Sequence, residues 1–215
     1  MSSHHIVRDE QEPALLIADP SALQLEFVEQ LLEWSPTVLV TEYALQEVLK
    51  WGIKIDVVVA RFDSIEALKP RLVAQSPVKL LGFESGDLLG SAYIFLQDHG
   101  YHAVNVLADI YNSPILDLSK TYKSLIDTVI FYNDQKWTYL QTGRFQKWVS
   151  TGHHLGIHPV AAGTFLRSEG FYTNWENEML LEPIELTAAV TGTVKLTTNE
   201  KPLWLVETVS TDIYH

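Results

Sequence analysis

From Ala14 to Tyr132, short apolar runs alternate with stretches of helical spacing. Ala14-Leu15-Leu16-Ile17-Ala18 predicts a strand, stopped by Asp19-Pro20. Between Ser21 and Trp34, the side chains of Leu23, Phe27, Leu31 and Trp34 fall on one helical face. Ser35-Pro36 ends that helix. Thr37 to Val40 predicts a second strand, and Tyr43 to Trp51 a helix with Gly52 as its C′ residue. A β-branched run from Ile55 to Ala60 predicts the third strand and ends abruptly in charge, at Arg61-Phe62-Asp63-Ser64. A helix over Ile65 to Gln75 is expected next. Then follow a strand at Val78 to Gly82, a helix from Leu88 to His99 stopped by Gly100, and a strand at Ala103 to Ala108. Ser119 to Ile126 reads as helix and Asp127 to Tyr132 as the sixth strand. Such alternation predicts right-handed crossovers and a parallel, doubly wound α/β sheet.

The period changes at Asn133-Asp134-Gln135-Lys136. Trp137 to Gln141 alternates at period two, and short runs of the same kind follow at Lys147–Val149, Leu155–His158, Gly163–Leu166, Thr191–Thr197 and Leu203–Val206. Turn residues separate them, among them Gly143, Gly152, Gly170 and Asn199. This predicts a small antiparallel β-sandwich. The expected organisation is a tail at 1–13, an α/β domain at 14–133 and a β-sandwich domain at 134–215.

Composition narrows the function classes. The chain has 215 residues, 47 % of them apolar, enough for a large core. A net charge of -12 disfavours broad nucleic-acid or anionic-membrane surfaces. No apolar run approaches the ~18 residues of a membrane span, and Met1 to Pro13 has no signal-peptide core. The expected location is therefore cytoplasmic. With no Cys, thiolate catalysis, disulfides and Cys metal sites are excluded.

Ligands of open α/β sheets bind beyond the carboxyl ends of the strands, so Asp63 and Ser64 are the first candidates for chemistry. The plain alternative is that Ser64 only caps the next helix. His153, His154 and His158 lie close in sequence. On one strand face, His154 and His158 are about 13 Å apart at ~3.3 Å per residue, too far for one metal, which favours a structural role. Asp98-His99 sits at a helix end, where a His suits the dipole.

The order of parts carries more. An α/β domain followed by a small β domain, with Phe62-Asp63-Ser64-Ile65 closing the third strand, resembles the thiamine pyrophosphokinases. The stretch Val48 to Ile65 matches best, where the family reads Gly-Ile-x-Pro-Asp, an apolar strand and Gly-Asp-Phe-Asp-Ser-Ile. Gly192-Thr193-Val194-Lys195-Leu196, with Lys201-Pro202-Leu203-Trp204, looks like the family's last hairpin. The resemblance implies pyrophosphoryl transfer from ATP to thiamine, Mg²⁺ as cofactor and a homodimer. It implies Asp63, Glu84 and Asp87 as ligands if a metal is bound, with Arg61 beside them. It further implies Thr41, Tyr43 and Ser64 at the nucleotide, and Thr187 and Trp204 at thiamine.

The motifs themselves depart from the family. An Asp-Gly-Gly-Ala turn is replaced by Thr41-Glu42-Tyr43-Ala44, which removes the glycines that allow close backbone approach. Gly-Asp-Phe-Asp-Ser becomes Ala60-Arg61-Phe62-Asp63-Ser64. Asp-x-Thr-Asp-Leu becomes Glu84-Ser85-Gly86-Asp87-Leu88, keeping both carboxylates. A Gly-x-x-Gly-Arg-x-Asp-His loop falls on Ala108 to Leu116, without its Arg, Asp and His. Replacing a carboxylate by Arg61 changes local charge by two units, and a guanidinium only donates. Arg61 can pair with Asp63, Glu84 or Asp87, anchor an anionic ligand, or stand solvated. Tyr43 and Tyr111 either fill the nucleotide site or stack on another ring. Two functions lead: a pyrophosphokinase-like protein with weak or lost transfer that keeps a binding or interaction role, and an active enzyme with a rearranged metal site; an enzyme of another activity on the same scaffold is a third, weaker reading.

Overall fold

The computed structural model describes residues 12–84, 86–141 and 143–209. The expected tail lies outside them up to residue 11, as does Ser85 of the third motif. The chain divides into two compact units, Met1–Asp134 and Gln135–His215. Asn133 and Asp134 both take left-handed backbone, a conformation to which short polar side chains are suited.

In the first unit the apolar runs form six parallel strands: β1 (Ala14–Ile17), β2 (Val38–Thr41), β3 (Val57–Arg61), β4 (Lys79–Phe83), β5 (Ala103–Leu107) and β6 (Asp127–Tyr132). Their order is β4-β3-β2-β1-β5-β6, and every pairing is parallel. All four residues of β1 are buried, as are Val57 to Ala60 of β3, which is why these runs are continuously apolar rather than alternating. From β1 the chain steps outward through β2, β3 and β4, then crosses back to lay β5 on the other side of β1. With right-handed crossovers, this reversal puts the two sets of connections on opposite faces, the doubly wound arrangement.

The helices are shorter than the sequence pattern predicts. The first, α1 (Leu25–Leu32), buries Phe27 and Val28, and Trp34 lies beyond its end, exposed. The expected Tyr43–Trp51 helix is α2 (Leu45–Val48) followed by one 3₁₀ turn, which Gly52 closes with a left-handed φ of 70°. After β3 comes a 3₁₀ turn at Phe62–Ser64, then α3 (Ile65–Leu68), then 3₁₀ turns through Gln75. Pro70 has no N–H to continue an α-helix, so α3 stops just before it. α4 (Leu88–Asp98) packs against β2 and β3. Its Tyr93 is fully buried and hydrogen-bonds Thr128 on β6 at 2.9 Å, and burial pushes the phenol up to about 12. α5 (Ile115–Tyr122) starts four residues before the expected Ser119.

The second unit contains two four-stranded antiparallel sheets. One has the order β12-β9-β14-β7, from β7 (Gln135–Leu140), β9 (His154–Pro159), β12 (Ile184–Thr187) and β14 (Leu203–Thr208). The other has the order β11-β10-β13-β8, from β8 (Arg144–Val149), β10 (Thr164–Glu169), β11 (Glu176–Leu180) and β13 (Gly192–Thr198). Leu155, Ile157, Leu166, Leu196 and Leu205 belong to one apolar core with residues from both sheets. Alternation along β13, where Val194, Leu196 and Thr198 are buried and their neighbours exposed, marks the face turned to that core. Among the described residues no helix is long and apolar enough to cross a membrane.

Candidate functional site

The reversal of strand order between β1 and β5 leaves a crevice at the carboxyl ends of the strands. A cleft of about 330 Å³ lies there. Ala18 and Asp19 enter it from the end of β1, Thr41 and Tyr43 from the end of β2, Gly86 to Leu89 from the start of α4, and Ala108 and Asp109 from the end of β5. Asn112, Ser113 and Pro114 complete the wall.

Each carboxylate of the cleft is fixed by its own loop. Asp19 accepts from the N–H and hydroxyl of Ser21 at 2.9 and 2.7 Å. Asp87 caps α4, accepting from the N–H of Gly90 at 2.9 Å. Asp109 accepts from the Asn112 side chain at 2.6 Å and from the N–H groups of Tyr111 and Asn112 at 2.8 and 3.1 Å. The Asn112 and Tyr111 bonds hold its carboxyl below the usual carboxylate range. Partial burial raises the Tyr132 hydroxyl, and the charges of Asp109 and Asp19 raise it further. The end of the sheet at β1, β5 and β6 is thus a region of negative potential.

The residues singled out in the sequence fall in two groups. Thr41, Tyr43 and Asp87 line the cleft, with Thr41 buried and the Tyr43 ring 70 % exposed. Neither Tyr43 nor Tyr111 fills it, since both rings are largely in solvent. Arg61, Asp63, Ser64 and Glu84 do not line it. Ser64 has no capping bond to the following helix, because its own backbone is already helical, so the expectation of a side-chain cap fails. Its hydroxyl lies 3.4 Å from the carboxylate of Asp63, which is 72 % exposed.

Arg61 is held by a residue that the sequence reading passed over. Its Nε donates to Glu42 Oε1 at 3.0 Å, and its backbone N–H lies 3.3 Å from Glu42 Oε2. Asp63 is a second, looser partner at 3.7 Å. Only 7 % of the Glu42 side chain is exposed, whereas Arg61 is half in solvent. The Glu42 bond and the charge of Asp63 together raise the guanidinium pKa further. Glu42 stands where the resembling family has glycine, and Arg61 where it has aspartate, so the charge of Glu42 offsets one of the two units that Arg61 adds.

Of the metal ligands implied by the resemblance, Asp87 lines the cleft. Asp63 and Glu84 are exposed beside the cleft lining rather than in it. Among the described residues, no three His, Cys, Asp or Glu side chains gather into a metal-holding group. Asp19 and Asp109 were not singled out in the sequence, although both directly follow predicted strands.

Trp204 and Thr187 belong to the second unit. Trp204 is 4 % exposed and packs against Tyr139 and Trp137, with ring centroids 5.1 and 6.5 Å away. Thr187 ends β12, where its hydroxyl meets His154 Nδ1 at 3.2 Å. The three histidines have separate partners: His153 meets Glu207, His154 meets Glu185, and His158 lies edge-on to Trp137. Burial lowers the His158 pKa.

No protein-family model matches the sequence, and no curated protein matches it. Solved structures do. Thiamin pyrophosphokinase from Geobacillus thermodenitrificans superposes with a TM-score of 0.72 at 12 % identity, covering 94 % of this chain and 99 % of that one. The Bacillus subtilis enzyme gives 0.69 at 13 % identity, with coverage of 92 % and 99 %. That of Candida albicans gives 0.72 at 10 % identity, with 94 % and 90 %. The chain therefore has the fold of the thiamin pyrophosphokinases, as a divergent example of it.

Proposed function

We propose that this protein is a thiamine pyrophosphokinase-like binding protein that has lost efficient pyrophosphoryl transfer and keeps small-ligand binding in the β1–β5 cleft. The Arg61–Glu42 pair carries the reading. Pyrophosphoryl transfer from ATP concentrates negative charge, which Mg²⁺ must neutralise through oxygen ligands. A guanidinium at the implied metal position repels that ion and offers it no lone pair. Because Glu42 already holds Arg61, the cation is also poorly placed to substitute for the metal on a phosphate. The proposal extends to a homodimer, which sedimentation equilibrium checks; a monomer at working concentration removes that part.

The test is formation of thiamine diphosphate and AMP from thiamine and Mg²⁺-ATP, on the protein and on Arg61→Asp. The expected result is no Mg²⁺-dependent product from the unsubstituted protein. Robust turnover there overturns the proposal and establishes an active enzyme with a rearranged metal site. Product from Arg61→Asp alone identifies Arg61 as the block on an otherwise retained site. Inactivity of both means that Glu42 and the altered β4 and β5 loops also contribute.

A further inference from the structure

The second unit carries a depression of about 260 Å³. It lies on the face of the β12-β9-β14-β7 sheet turned away from the apolar core. Leu155 and Ile157 of β9 point into that core, so the alternating His154, Gly156 and His158 point out. Val206 of β14 and Glu185 of β12 flank Gly156 in register. Gly156 makes the hollow: a Cβ there would stand 3.1 Å from Val206 Cβ and 3.6 Å from His158 Nε2. The two histidines bound it along the strand. It shares no residue with the β1–β5 cleft, and neither Thr187 nor Trp204 lines it.

The chemistry of the lining narrows the ligand. His158 lies edge-on to Trp137, and its ring nitrogens have no hydrogen-bond partner among the described residues. Burial lowers its pKa, so at neutral pH the ring is uncharged and offers one N–H donor and one lone pair. His154 donates through Nδ1 to Glu185 at 2.8 Å, so the one carboxylate of the hollow is already engaged. No Lys or Arg lines the hollow to hold a phosphate or a carboxylate. Thr208 and Gln135 add a hydroxyl and an amide, each able to donate and to accept. Val206 and Ile184 supply apolar surface. Uncharged groups that both donate and accept are matched by ligand hydroxyls, which also work in either direction. We infer that this depression binds a neutral polyhydroxy molecule of monosaccharide size, with one hydroxyl on His158 Nε2 and C–H surface over Gly156 and Val206. The volume agrees, being slightly below the ~300–1,000 Å³ of drug-sized pockets.

Glucose, galactose and mannose are titrated separately into the full chain, and binding is followed by the imidazole NMR signals of His154 and His158. At least one sugar is expected to saturate with a millimolar Kd and to move both signals. Its uronate places a negative charge on the same ring and should bind at least ~5-fold more weakly. Gly156 lacks left-handed backbone, so Gly156→Ala adds no strain there. Its methyl group fills the floor, and affinity for the sugar should fall ~10-fold or more with little change in melting temperature. His158→Phe keeps a ring beside Trp137 and removes both nitrogens, which should weaken the sugar ~5-fold. If Gly156→Ala folds poorly, His158→Phe decides. No saturation by any of the three sugars up to ~100 mM overturns the inference. So does a uronate that binds as tightly as its sugar, an unchanged affinity in a folded variant of either kind, or signals that move only at other residues.

Discussion

Lys147→Met tests whether the second unit is held by a buried charge cluster. Lys147 on β8 bonds Glu207 on β14, and these strands belong to different sheets of the unit. Glu207 is nearly buried, with His153 Nε2 as its other partner at 3.1 Å. Burial alone would raise its pKa, but the bond from Lys147, the charges of Lys147 and Lys136 and the His153 contact outweigh it, and the net shift is downward. Methionine keeps most of the stem and removes the charge, leaving a carboxylate with one imidazole partner. Breaking a fully buried pair costs ~3–5 kcal/mol. Lys147 is partly solvated, so about 2–3 kcal/mol is expected. For a chain of this length that lowers the melting temperature by about 4–12 °C. A group whose folded pKa is depressed stabilises above its unfolded value of about 4.3 and loses that contribution as pH falls through the folded pKa. The penalty of Lys147→Met should therefore be full at neutral pH and shrink in acid. Replacing both partners, Lys147→Met with Glu207→Leu, should recover most of the loss. Thermal melts by circular dichroism at neutral and acid pH measure both variants against the unsubstituted protein. An equal penalty at both pH values, or none at neutral pH, refutes the reasoning.

Tyr93→Phe removes the buried bond to Thr128 and leaves that hydroxyl unpaired, so urea unfolding should show a loss of ~1–3 kcal/mol. Gly90→Ala sets helix propensity against the cap. An added Cβ would lie 2.3 Å from Asp87 Oδ2, so the usual gain of ~1 kcal/mol should be cancelled or reversed, and a stabilised variant would contradict that geometry. Leu16→Ala, at a fully buried central-strand position, should cost ~2–5 kcal/mol by the same denaturation assay.

Much of the fold could be read from the chain because its signals are local. The strand at Asp127–Tyr132 has the expected bounds, and Gly52 and Gly100 end their helices with left-handed backbone, as their positions predict. Helix lengths were less legible. Trp34 fits the helical period of α1 but stays in solvent, because spacing alone does not say where a helix stops. β11 escaped notice because Glu176-Asn177-Glu178 carries no apolar alternation; its strand state comes from pairing with β10. The candidate site was half legible. Any strand end is a plausible site from sequence, and β3 drew attention through Asp63. Which strand end borders the crevice depends on sheet order, a long-range property that no local pattern encodes. Asp19 and Asp109 flank the β1–β5 reversal, and only the topology distinguishes them from other loop acids. Glu42 was quoted within the first motif, but its pairing with Arg61 spans 19 residues and two strands.

The central claim is that this cleft has exchanged metal-nucleotide chemistry for another kind of binding. Titration of ATP into the protein, with and without Mg²⁺, tests it most directly. No saturable binding at millimolar concentration under either condition is the predicted result. Saturable, Mg²⁺-dependent binding of one ATP per chain, weakened by Asp87→Asn, would contradict the account.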